Sequence, residues 1–104
     1  MRTFKLEDGP AFDPAKAAAA ELLRADRASV RVIRLGVGQS LPAHSHGESD
    51  LVLYVAEGTV VLGDEVVAGA GTIAHLLGSE VLRARCEGDV GATLLAFLAP
   101  PFPP

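Results

Sequence analysis

The 104-residue chain contains no tryptophan, one tyrosine and only four phenylalanines. Rings are therefore too few for a surface that grips aromatic or nucleobase ligands by extensive stacking. Basic residues are also scarce. Nine Lys and Arg stand against thirteen Asp and Glu, for a net charge of −4, and they are scattered rather than clustered, which argues against a nucleic-acid surface. The single cysteine, Cys86, cannot form an internal disulfide and fits a reducing cytoplasm. No apolar run reaches the roughly 18 residues of a membrane span, and the first ten residues lack the apolar core of a signal peptide. These absences predict a cytoplasmic protein with neither a nucleic-acid nor a membrane partner. The length suits one domain, expected over residues 1–104 with a core at about 12–100 and a proline-rich tail at 100–104.

What the chain does have is short alternating runs separated by turn signals, the pattern of a sandwich or barrel. Strands are predicted at 29–35, 51–56, 59–62, 65–68, 81–85 and 92–99. Gly63-Asp64 between two apolar runs reads as a two-residue hairpin of type II′. The stretch 13–27 is the exception. Asp13 as N-cap, Pro14 in the first turn and an alanine run favour helix, so a helical turn or two near Pro14 is expected, passing into a strand around 21–24. The tail prolines end the last strand, and the tail is expected on the surface.

Residues 38–58, GQSLPAHSHGESDLVLYVAEG, carry the chemistry. On a strand, residues i and i+2 share a face, so His44 and His46 are predicted to present two imidazoles to one point, as a metal site requires. Gly38, five intervening residues, His44, His46, an apolar strand and the closing Gly58 resemble the first motif of the cupin family. That family places a glutamate ligand where Leu51 stands here, with Asp50 one residue earlier. A one-residue offset turns a side chain to the other face, so Asp50 substitutes only across a bulge.

The stretch after Gly69 resembles the second cupin motif more weakly. Counted without gaps, His75 falls on the motif's proline, Leu77 on its glycine and Glu80 on its histidine ligand. If Gly78 is taken as the motif glycine, the ligand position moves to Val81. Alternation favours Glu80: two arginines, Arg83 and Arg85, should face solvent, which turns Leu82, Ala84, Cys86 and Glu80 inward. The resemblance thus implies an all-β, antiparallel jelly-roll barrel. It also implies a divalent metal, Zn, Fe, Mn or Ni, at His44, His46 and Glu80, with His75 and Asp50 as further ligand-binding or supporting groups. The competing reading is a vestigial histidine pair without metal. Cys86 reads as a small buried hydrophobe.

Arg31 and Arg34 are three residues apart on one predicted strand, so on an unbroken strand one of them faces the barrel side, whereas a bulge or strand end would let both reach solvent. A guanidinium on the barrel side would bind a carboxylate or phosphate, and Arg34 is taken as the candidate. The apolar residues Val52, Tyr54 and Ala56, with Val60 and Leu62, predict exposed faces that a homodimer would cover. Two functions fit these residues. One is a non-catalytic barrel that binds or senses a small polar ligand, with or without metal. The other is a metal-dependent enzyme of dioxygenase or isomerase type acting on a small oxygen-rich substrate.

Overall fold

Period-two alternation runs through most of the chain and folds it into strands. A computed structural model describes residues 1–103; Pro104, the last residue of the expected tail, lies outside the described residues. The strands are β1 (Ala18–Arg24), β2 (Ser29–Leu35), β3 (Asp50–Glu57), β4 (Thr59–Leu62), β5 (Val66–Gly69), β6 (Ile73–Leu76), β7 (Ala84–Cys86) and β8 (Ala92–Ala99). All pairings are antiparallel, in a five-stranded sheet ordered β1-β2-β8-β3-β6 and a three-stranded sheet ordered β5-β4-β7. This is the expected all-β jelly-roll.

The core fills the space between the two sheets. Leu51, Leu53 and Val55 of β3, Leu94 and Leu98 of β8 and Val60 of β4 are all 2% exposed or less. Burying each stabilises the fold by roughly 1.5–3 kcal/mol relative to leaving it in water. Cys86 is free and buried in the same cluster. Val60 and Leu62, expected on an outer face, belong to this core as well; being two residues apart on β4, they share the face of the sheet that turns inward.

Local propensity failed in one place. The alanine run forms strand β1, and the segment near Pro14 bends without becoming helical. A short isolated helix is marginal in water, whereas β1 gains a ladder with β2 from Ala18↔Arg34 to Arg24↔Ser29, interrupted by a bulge between Glu21 and Leu23. The helical turn is instead a 3-10 turn at Leu6–Asp8. The predicted two-residue hairpin after β4 is a hairpin, but Leu62 pairs with Val66, so Gly63, Asp64 and Glu65 make a three-residue connection. Strand β6 was not expected from the sequence.

Residues 38–46 do not form a regular strand. They run beside β7 as an irregular edge, with Leu41 N–H donating to Ala84 C=O at 2.9 Å, and His44 and Leu82 exchanging backbone bonds of 3.3 and 2.8 Å. The His-x-His pair therefore stands on a loop tied to the second sheet, not on a strand as predicted.

The outer face of β2 is covered by the N-terminal arm. Gly9 crosses directly over Val32, where an added Cβ would fall 2.8 Å from the valine Cβ, and Val32 is fully buried as a result. Arg34 ties the arm down. Its Nε donates to Pro10 C=O at 3.0 Å, Nη1 to Thr93 Oγ1 at 2.7 Å and Nη2 to Leu6 C=O at 2.8 Å, and its guanidinium lies 5.7 Å from the Phe12 ring centre. Arg34 is thus a structural clamp on the outside of the barrel, not the ligand-binding side chain expected. Hydrogen bonds from a charged donor contribute about 1.5–3 kcal/mol each, less where water competes. Arg34→Met is accordingly expected to cost on the order of 2–4 kcal/mol. Urea unfolding and hydrogen exchange of residues 5–12 would measure it, and an unchanged midpoint with an unchanged arm would remove the clamp from the account.

Candidate functional site

A cavity of about 410 Å³ opens between the five-stranded sheet and the 38–46 edge. Strand β2 contributes Arg31 and Ile33 to its wall, β3 contributes Leu51, and β8 contributes Ala96 and Leu98. The residue alternation of each strand explains the choice: cross-strand pairing sets Arg31 opposite Ala96, which in turn lies opposite Leu53, so these share the inner face. The opposite wall carries His44, His46 and Leu82, and Phe102 of the tail closes one side.

The two imidazoles lie together, with ring centres 4.7 Å apart and planes tilted by 57°. His44 is on the exposed side, and its Nδ1 is 2.7 Å from Pro42 C=O. That contact assigns the proton to Nδ1 and leaves Nε2 as the free nitrogen. His46 is only 4% exposed, stacks on Phe102 at 5.9 Å with planes 7° apart, and has an Nδ1 that is buried without a hydrogen-bond partner among the described residues. Its backbone N–H donates to Gly78 C=O at 2.8 Å. Gly78 makes that approach feasible, because a Cβ there would fall 2.1 Å from Gly47 C=O.

Burial holds the His46 pKa below its ordinary 6.5, and the like charge of His44 adds to the effect. Both effects favour the neutral imidazole, and no described residue buried beside it compensates a positive charge.

The remaining predicted site residues do not join this pair. Glu80 is exposed in the turn before β7, and its Oε1 accepts the Leu77 N–H at 3.0 Å. The alternation argument held for Leu82, Ala84 and Cys86, all buried, but regular strand begins only at Ala84, so it does not extend back to Glu80. Val81, the alternative position, is exposed. His75 pairs with Val52 across β6 and β3 and points to the outer face, where its Nε2 meets Asp50 Oδ1 at 3.2 Å. Leu51 faces the core, so its neighbour Asp50 faces out, and no bulge reverses them. An exposed pair of this kind contributes little.

Among the described residues no three His, Cys, Asp or Glu side chains come together as a metal site. From the described residues the cavity wall offers two imidazoles, no carboxylate and one guanidinium. That donor set fits a resident divalent cation poorly, because a cation there would sit near Arg31 with no carboxylate of the described residues on the cavity wall to offset either charge.

Two lining residues escaped the sequence reading. Arg31 was visible in the parity of β2, which requires one of Arg31 and Arg34 to face inward, but nothing in the sequence said which. Phe102 was read as part of a surface tail. Arg24 Nη1 donates to Phe102 C=O at 2.9 Å and Ser49 Oγ donates to Pro100 C=O, and these bonds fold the tail back onto the core. The only sequence hint was an aromatic residue among prolines.

Because the folded chain takes up the His46 proton at a lower pH than the unfolded chain, stability is fully present above about 6.5 and is lost as pH falls from there through the lowered folded value. The urea midpoint should therefore fall between pH ~7.5 and ~5, with a smaller fall in His46→Gln. Equal pH dependence in the two proteins would show that His46 does not titrate as its burial implies.

No protein-family model matches the chain, and no curated protein matches it. Solved structures do. TT1209 from Thermus thermophilus is 29% identical, with a TM-score of 0.85 over 96% of this chain and 98% of that one. An RmlC-like cupin protein from Desulfovibrio desulfuricans is 25% identical, with a TM-score of 0.82 over 98% of this chain and 99% of that one. The polyketide cyclase RemF from Streptomyces resistomycificus is 21% identical, with a TM-score of 0.77 over 100% of this chain and 82% of that one. No helix among the described residues is long and apolar enough to cross a membrane.

Proposed function

We propose that this chain, which has the cupin fold, is a binding module that takes a small molecule into the cavity between Arg31 and the His44/His46 pair. The carrying observation is the cavity itself. Its volume of about 410 Å³ lies within the range of small-molecule sites, and its mostly apolar wall with a few convergent polar groups is the usual composition of such sites. The ligand this wall favours has a more apolar body than the polar ligand read from the sequence. Among the described residues no acid, base or nucleophile other than the two imidazoles lines the cavity, which supports binding over catalysis.

A panel of small organic acids, alcohols and sugars, screened by thermal shift and by histidine NMR signals, tests the reading. Ligand at about a hundredfold its Kd stabilises a folded protein by about 2.7 kcal/mol. That gain is expected in the natural chain and should vanish in Ala96→Phe, which fills the cavity from β8. A panel with no binders, or binding indifferent to Ala96→Phe, would remove the proposal.

The metal-dependent alternative draws support from one observation, the unpartnered Nδ1 of His46. Titration with Zn²⁺, Mn²⁺ or Ni²⁺ separates the readings: stoichiometric binding lost in His46→Ala would favour the metal.

The outer face of the five-stranded sheet exposes Val52, Ile73 and Phe97, with Val52 and Phe97 directly paired across β3 and β8. This patch supports a homodimer. Sedimentation at micromolar concentration is expected to give about twice the 10.7 kDa chain mass, falling to the monomer in Phe97→Asp; a monomer throughout would overturn it.

A further inference from the structure

The polar side chains of the cavity carry the charge opposite to that of a metal-binding set. Where the cupin resemblance calls for a carboxylate ligand the chain has Leu51, fully buried, and the charged group on the wall is Arg31. Arg31 is half-buried on the inner face of β2. None of the ion pairs among the described residues involves it. Its cross-strand neighbour is Glu21, but both Glu21 carboxylate oxygens are engaged by Arg24 Nε, at 3.1 and 3.3 Å. On its other side Arg31 faces Ala96, a small residue that leaves space in front of the guanidinium. A partly desolvated guanidinium without a partner is costly, and a bidentate carboxylate is the group that best matches its planar fork.

We infer that the cavity binds a small monocarboxylate with a hydrocarbon body, the carboxylate on Arg31 and the body against Leu51, Leu82, Leu98 and Phe102. The inference rests on the binding function proposed above and names its ligand class. Charge balance selects a monoanion. One guanidinium offsets one negative charge, a dianionic phosphate monoester would bring an uncompensated charge into an apolar wall, and a neutral ligand would leave Arg31 unpaired. The apolar wall selects the body, since hydrocarbon removed from water there gains about 25 cal/mol per Å².

Calorimetric titration with octanoate, octan-1-ol and octyl phosphate on the natural chain, Arg31→Gln, Arg31→Lys and Ala96→Phe tests it. Octanoate is expected to bind the natural chain at least about tenfold more tightly than octan-1-ol, which is about 1.4 kcal/mol. Arg31→Gln should bring octanoate down to the level of the alcohol, Arg31→Lys should keep part of the preference, and Ala96→Phe should abolish binding of both. Octan-1-ol binding as tightly as octanoate, or octyl phosphate binding more tightly, would overturn the inference while leaving a binding cavity. No binding by any of the three would overturn the inference, and the binding function with it if the wider panel of acids, alcohols and sugars also gives no binder; binding unaffected by Ala96→Phe would overturn both. If Arg31→Gln does not fold, the acid-to-alcohol ratio in the natural chain and in Arg31→Lys decides.

Discussion

Strand β8 holds the larger sheet together, because it is the central one of the five strands and pairs along nearly its whole length with β2 from Ser29↔Leu98 to Leu35↔Ala92 and with β3 from Asp50↔Ala99 to Glu57↔Thr93. Side chains alternate strictly along a strand, so this double register assigns every residue of the three strands to the inside or the outside at once. Leu94, Ala96 and Leu98 turn inward, and with them Leu51, Leu53, Arg31 and Ile33. A slip of β2 by one residue would put Arg34 in the core and turn Ile33 and Leu35 out, at a cost of several kcal/mol by area alone. The cavity, its polarity and the N-terminal clamp all follow from that register.

The same constraint explains why the two arginines of β2 have different fates. Arg34 lands on the outside, where the arm from Leu6 to Phe12 supplies backbone carbonyls and a ring to satisfy it. Arg31 lands on the inside, opposite an alanine and beside a glutamate already engaged by Arg24. One residue type at two positions of one strand thus anchors the fold in one case and leaves a directed, unpaired charge in the other.

The histidine pair is positioned by different means. It stands on an irregular edge whose course depends on backbone bonds to β7 and on the missing side chain of Gly78. Because that edge is a loop, His44 and His46 differ: one reaches the solvent side of the cavity, while the other is buried against Phe102 with an unsatisfied nitrogen. Two similar ligands on a regular strand would have had more nearly equal surroundings. The asymmetry is what depresses proton binding at His46.

The sequence by itself determined the class of fold and most strands, since β2, β4 and β8 follow from alternation, a signal that survives in one dimension because the strand period is two. It also determined that His44 and His46 would lie close and that Leu51 would not ligate. Only the tertiary structure decided the rest. Ala18–Arg24 became a strand because β2 offered it a ladder that local propensity does not encode. Glu80, His75 and Asp50 fell away from the histidines because strand boundaries and sheet faces depend on partners distant in sequence. Arg31 rather than Arg34 faced the cavity, and Phe102 returned to close it, because each outcome depends on which long-range neighbour satisfies a polar group, and that choice is made only when the chain is folded.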